Sequence, residues 1–188
     1  MEKDLVQHPS DVVRVVLYGP ESTGKTTLAR SLAQHYHTEW VEEFARDYLQ
    51  KKWNEHQAVC TLEDLPIIAA GQLELENQKL AKANKILFCD TNILVTRIWS
   101  QTHFEGYCDP KILSHSESLT YDLYLLTGID VPWQKDDLRD RPDDRQFMFD
   151  FFKNTLEKLN QKFIVLKGDH AVRLESAVNA VDSILKKV

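Results

Sequence analysis

Apolar residues along this chain gather into five short runs, at 12–18 (VVRVVLY), 39–41 (EWV), 86–89 (ILFC), 121–126 (YDLYLL) and 163–166 (FIVL). The runs near residues 15, 87 and 164 are almost unbroken rather than alternating, as in strands covered on both faces. The run at 39–41 is the shortest and weakest. Helical stretches lie between and after them, over 26–36, 43–53, 65–83, 92–100, 145–159 and 170–187. In the longest, Ile67, Ile68, Leu73, Leu75 and Leu80 make one broad apolar face. Asp64 is its candidate N-cap, Pro66 fits its first turn and Gly71 is its weak point. Strands alternating with helices predict an α/β fold: a parallel five-stranded sheet with helices on both faces, wound by right-handed crossovers.

Composition bounds this picture. A length of 188 residues suits one domain over 1–188, with residues 1–11 read as a flexible N-terminal segment. Twenty-three basic against 29 acidic residues give a net charge of −6, which disfavours a grip on nucleic acid. With 43% hydrophobic and 28% charged residues, the chain reads as globular rather than disordered. No apolar run nears the roughly 18–20 residues that span a bilayer, so membrane insertion is not expected. The opening MEKDLVQHPSDVV has no apolar signal core. Cys60, Cys89 and Cys108, odd in number and far apart, match neither a disulfide framework nor a zinc site. A soluble, cytoplasmic protein is expected, and composition leaves a homo-oligomer open.

Chemistry enters with Gly19-Pro20-Glu21-Ser22-Thr23-Gly24-Lys25-Thr26. The octet matches the Walker A pattern G-x-x-x-x-G-K-[ST] in full, between a hydrophobic strand and a helical stretch. Gly19 and Gly24 allow backbone angles that turn successive N–H groups, from Glu21, Ser22 and Thr23 onward, around a phosphate. The helix that follows offers its free N–H groups, including that of Thr27, and its positive dipole end to the same anion. Lys25 is placed to reach the β- and γ-phosphates of ATP, and the Thr26 hydroxyl to ligate Mg²⁺. These features predict a P-loop NTPase fold. The run ILFC then ends in Asp90, a second candidate for Mg²⁺ at the carboxyl end of a buried strand. Asp90 fits equally as an N-cap for the helix over 92–100. Thr91 follows where ATPase motors carry a water-activating Glu, so transfer to a bound acceptor is favoured over hydrolysis. The D-x-x-G segment of GTPases is absent, and Asn84-Lys85 runs into an apolar strand rather than a base-binding loop.

A small-molecule kinase needs a base or orienter for the acceptor hydroxyl and a cationic lid over the phosphoryl group. Residues 134–147 (QKDDLRDRPDDRQF) offer the lid, with Lys135, Arg139, Arg141 and Arg145 among five aspartates. In isolation such a run also reads as a solvated, salt-bridged helix start. On the acceptor side the second strand ends in Glu42-Glu43. Glu43 is favoured as the base or hydroxyl-binding residue, although either acid could simply answer a helix dipole. Trp133 could stack on a flat ring or pack in the core.

Together GPESTGKTTLA, VEEFARDYL, FCDTN, YDLYLLTGIDVPWQKDDLRDRPDDR and VLKGDHAVR resemble the nicotinamide riboside kinase domain of NadR-type proteins, from about residue 12 to residue 173. The resemblance implies ATP-dependent phosphorylation of the ribose 5′-hydroxyl of nicotinamide riboside, giving the mononucleotide in NAD salvage. It implies that Lys25 and Thr26 serve ATP and Mg²⁺, and that Glu43 and Arg46 lie at the acceptor site. Asp130 belongs to the specific Asp130-Val-Pro-Trp133 segment on the substrate side, with Trp133 near the pyridine ring. Arg139, Arg141 and Arg145 would act in the lid, and Gly168-Asp169 would border the adenine, though a turn needing glycine explains that pair equally well. Many relatives also carry an adenylyltransferase with an (H/T)-x-G-H motif. No His in this chain follows a Gly, so adenylylation is not expected of it. Glu42 stands where proline is common in the family. Two other readings stay open: a kinase of another nucleoside, and a non-catalytic ATP-binding sensor of pyridine nucleotides.

Overall fold

The structure, a computed structural model, describes residues 5–139 and 143–187. Five strands appear there: β1 (Val13–Tyr18), β2 (Trp40–Val41), β3 (Ile86–Asp90), β4 (Leu123–Thr127) and β5 (Phe163–Leu166). Seven helices accompany them: α1 (Lys25–Tyr36), α2 (Phe44–His56), α3 (Asp64–Leu80), α4 (Ile93–His103), α5 (Pro110–Ser118), α6 (Arg145–Lys158) and α7 (His170–Leu185). All paired strands are parallel, in the order β2-β3-β1-β4-β5. This is the predicted sheet, with a helix following every strand.

The unbroken apolar runs follow from this architecture. Every residue of β1, β3 and β4 is buried. Val13, Val15 and Leu17 face Leu28, Ala29 and Leu32 of α1 and Ala177 and Val181 of α7. Val16 and Tyr18 point to the other face, against Leu94 and Ile98 of α4 and Met148, Phe152 and Leu156 of α6. A strand buried on both sides has no position for a polar alternation. With β1 between β3 and β4, the loop that leaves it opens onto the carboxyl edge of the sheet, where α/β folds gather their ligands.

Four expectations change. Helix α5 was not predicted; it has only Ile112 and Leu113 as large apolar residues. Its signal was the capping residue Asp109, whose side chain accepts from the Lys111 N–H, before Pro110 in the first turn. Asp64 is not the N-cap of α3 but its first residue. Its buried carboxylate accepts from Thr61 N–H, Tyr48 Oη and Lys52 Nζ, tying α2 to α3. Residues 5–8 are tethered rather than loose: the Gln7 amide bonds Glu76 and Thr120, and His8 N–H donates to Asn77. Gly71, the weak point of the helical pattern, is where the Phe44 ring of α2 lies on α3. A Cβ there would meet that ring at 2.4 Å.

Candidate nucleotide and acceptor site

The loop between β1 and α1 has the backbone that the octet requires. Gly19 sits at φ 134° and Gly24 at φ 82°, the left-handed region that glycine tolerates. A Cβ on Gly19 would also press on Thr127 at the end of β4, 2.8 Å from its Oγ1. Thr23 Oγ1 ties the loop to Pro20 O at 2.8 Å and to Thr127 Oγ1 at 2.6 Å. Lys25 Nζ donates to Pro20 O at 2.7 Å. Helix α1 therefore starts at Lys25 with its first amides turned toward the loop.

Asp90 ends β3 beside this loop, and Thr26 Oγ1 donates to its Oδ2. Helix α4 starts later, at Ile93, with Asn92 as N-cap, so the N-cap alternative for Asp90 falls away. The other oxygen, Oδ1, is buried with no hydrogen-bond partner among the described residues. An orphaned carboxylate oxygen beside a threonine hydroxyl is a donor set that fits a hard divalent cation completed by phosphate oxygens and water. No cluster of three or more acidic, His or Cys residues among the described residues could hold a metal without such help.

Burial pushes the Asp90 carboxyl up to about 7, and the charge of Glu43 across the cleft adds to the rise. Lys25, Thr26 and Arg30 oppose it. Because the folded value lies above the unfolded one, this group favours the fold fully at low pH and loses that contribution as pH rises through about 7. The nucleotide-free protein is therefore expected to lose thermal stability between about pH 4 and about pH 7, and Asp90→Asn to flatten that slope. Melting curves of both proteins across this range check the point; an unchanged slope in the variant contradicts it.

One cavity of about 500 Å³ is lined by the phosphate loop, by Glu43, Arg46 and Trp133, and by Leu65, Ile68, Trp99 and His103. The two acids part company at its edge. Glu42 turns away to Lys79, 3.5 Å distant, whereas Glu43, the N-cap residue of α2, lines the cavity. Trp133 is half-buried and also lines the cavity, with the Arg145 guanidinium 5.9 Å from its ring centre, so it does not belong to the core.

Of the lid residues, Arg139 and Arg145 reach the phosphate loop. Arg145, the first residue of α6, donates to Val131 O at 2.8 Å and Ser22 O at 3.3 Å; Arg139 donates to Gln134 O at 2.5 Å and lies 3.5 Å from Ser22 Oγ. Residues 131–139 are irregular, so most of the charge run is a loop rather than a helix start. Arg141 lies outside the described residues.

Asp130 and the pair Gly168-Asp169 do not join the cavity wall. Asp130 accepts from the Gly168 N–H at 2.5 Å and from Arg173 at 2.6 Å, and Asp169 caps α7 by accepting from Val172 N–H. The expectation that Asp130 contacts substrate gives way to a strut between the loops after β4 and β5. Its partner, Arg173, carried no assigned role in the sequence reading. Buried at 4% exposure, it donates to Thr23 O, Gly128 O and Gly168 O, holding three loops together beneath the nucleotide site. The stacked pair Trp99–His103, 3.7 Å between ring centres, also lines the cavity. Their spacing of four on one helix face was the available signal.

The parallel sheet, the phosphate loop and the acid at the end of β3 together define a P-loop nucleotide-binding domain. Residues 14–173 match the family model described as an AAA domain, and the chain belongs to that family. It is 27% identical over 180 residues to the trifunctional NAD biosynthesis/regulator protein NadR of Salmonella typhimurium, covering 94% of this chain and 44% of that protein. A crystal structure of NadR protein in complex with NAD and AMP-PNP superposes with a TM-score of 0.73 at 23% identity, over 92% of this chain and 49% of that one. A second, of NadR protein in complex with NR, gives 0.70 at 23% identity over 92% and 50%. The chain thus spans about half the length of these relatives, and the likeness to NadR-type proteins seen in the motifs extends over nearly the whole of it. No helix among the described residues is long and apolar enough to cross a membrane.

Proposed function

We propose that the chain is a ribosylnicotinamide kinase, transferring the γ-phosphoryl group of ATP to the ribose 5′-hydroxyl of nicotinamide riboside. The products are nicotinamide mononucleotide and ADP, a step of NAD salvage. The observation that carries this reading is the one cavity whose wall joins the phosphate loop to Glu43, Arg46 and Trp133 and to the apolar residues Leu65 and Ile68. At about 500 Å³ it lies in the range of small-molecule sites. Similarity along nearly the whole chain to a NAD biosynthesis protein, and in fold to one solved with NR, supports the choice of acceptor.

In this reading the loop amides of Glu21 to Thr27 and the Lys25 ammonium bind the phosphates. Thr26 and Asp90 would hold Mg²⁺, which when bound neutralises charge on the β- and γ-oxygens. Glu43 accepts the proton of the 5′-hydroxyl, whose oxygen forms the new bond to the γ-phosphorus as the bond to the ADP oxygen breaks. Arg139 and Arg145, with Arg141, offset the charge spread over the transferring group. Arg46 lines the acceptor side. The start of α7, where His170 and Arg173 line the cavity next to Gly168 and Asp169, would border the adenine.

Trp133 serves the pyridine ring. Trp133→Ala is expected to raise the riboside KM by about tenfold and leave the KM for ATP unchanged, in line with the modest value of one aromatic contact. Unchanged riboside kinetics contradict that role.

The reaction is tested by ADP release from MgATP with nicotinamide riboside, thymidine, deoxycytidine, uridine or no acceptor. Release with the riboside alone is the expected result. Preference for another nucleoside reassigns the acceptor, release without acceptor indicates an ATPase, and no release with any acceptor indicates a sensor.

A further inference from the structure

Two arginines that line the cavity, one on α2 and one in the loop before α6, converge on one carboxylate. Arg46 of α2 grips Asp136 with both terminal nitrogens, Nη1 to Oδ1 at 3.1 Å and Nη2 to Oδ2 at 2.7 Å. Arg139 approaches the same Oδ2 through Nε at 2.9 Å. Asp136 Oδ1 also accepts from the Leu138 N–H at 2.9 Å, which fixes the carboxylate on its own turn. Arg139 then continues toward the phosphate loop, with Ser22 Oγ 3.5 Å from its Nη1; the same hydroxyl accepts from the Gln134 N–H at 2.8 Å. A chain of contacts therefore runs from the acceptor helix, through Asp136, to the phosphate loop. Gln50 Nε2, 3.4 Å from Asp137, adds a second tie between α2 and this loop.

Without the carboxylate, two guanidinium groups that now share one of its oxygens would lie close together uncompensated, and like charges at short range repel. A planar carboxylate is the group that satisfies a bidentate arginine and still accepts a third donor. Hydrogen bonds from Arg46 and Leu138, against the opposing effect of burial, hold the Asp136 carboxyl below its ordinary range, so it stays ionised at neutral pH. Held at Nε, Arg139 has its side chain fixed along most of its length. That is the state in which a lid arginine meets a developing charge without first being ordered.

We propose that Asp136 is a positioning residue for phosphoryl transfer, aligning Arg139 of the lid with Arg46 of the acceptor helix at the cavity wall. The proposal rests on the kinase reading and goes beyond it by adding a residue that touches neither substrate. Asp136→Asn is the direct probe: it keeps the shape, removes the charge and turns an amide donor toward a guanidinium. The side chain lies in a partly exposed loop, so the fold is expected to survive, and the melting temperature checks this.

The measurement is a double-mutant cycle on kcat with MgATP and nicotinamide riboside, using Asp136→Asn, Arg139→Ala and the pair. Asp136→Asn is expected to lower kcat by about tenfold or more in the parent and by less than about threefold beside Arg139→Ala, because its effect passes through that arginine. Asp136→Glu, which restores the charge, is expected to recover part of the loss. Equal losses in both backgrounds, or no loss at all, overturn the proposal, since a merely structural role would act in both alike. If the parent ignores nicotinamide riboside but phosphorylates another nucleoside, the choice of acceptor fails, and the same cycle on that nucleoside decides the role of Asp136. ADP release with no acceptor of any kind overturns both.

Discussion

Lys25→Ala is expected to abolish phosphoryl transfer, with kcat/KM reduced by about a thousandfold or more, as when a preorganised charge is taken from a transferring phosphoryl group. The octet holds one cation at the mouth of α1, and that cation rests 2.7 Å from Pro20 O, within its own loop. The loop amides would remain in the variant, because they are set by Gly19, Gly24 and the Thr23–Thr127 bond rather than by Lys25. Nucleotide binding should thus weaken less than turnover. Steady-state kinetics with MgATP, together with binding of a non-hydrolysable ATP analogue, check both halves. A loss smaller than about tenfold, or 1.4 kcal/mol, would contradict the assignment of the phosphate loop.

Glu43→Gln is the second large effect. Loss of a general base lowers kcat by roughly a hundred- to ten-thousandfold, with the KM for MgATP expected to stay within about threefold. Glu42→Gln is expected to change little, because that carboxylate is turned toward Lys79 and away from the cavity. The charge of Glu43 also raises the Asp90 carboxyl, so Glu43→Gln should let Asp90 ionise at lower pH. A larger loss of turnover in Glu42→Gln than in Glu43→Gln would exchange the two roles.

The central strands β1 and β3 were legible because they are buried on both faces and so write themselves as unbroken apolar runs, and the partly buried edge strand β5 because all four of its residues are apolar. Val13–Tyr18, Ile86–Asp90 and Phe163–Leu166 fall within one residue of the runs that predicted them. The phosphate loop was legible because its chemistry is local: one octet sets the backbone, the cation and the helix start. Asp90 needed only a strand end.

What stayed hidden depends on long-range pairing. Arg173 lies 150 positions from Thr23, whose carbonyl it holds, and Asp136 lies 90 from Arg46. No period or local motif records such partners. Within the lid segment, five aspartates and four cations look alike in sequence, and only the fold separates the carboxylate that bridges two arginines from its neighbours. Asp130 shows the reverse error. Its place beside Trp133 suggested a substrate contact, whereas its carboxylate braces Gly168 and Arg173.

The central claim is that this cavity moves a phosphoryl group from ATP to the 5′-oxygen of nicotinamide riboside. Phosphorus-31 and proton NMR of a reaction containing MgATP and the riboside follow both products at once. The account predicts one nicotinamide mononucleotide, with phosphorus coupled to the 5′-methylene protons, for each ADP formed. ADP and inorganic phosphate accumulating while the riboside stays intact would contradict it.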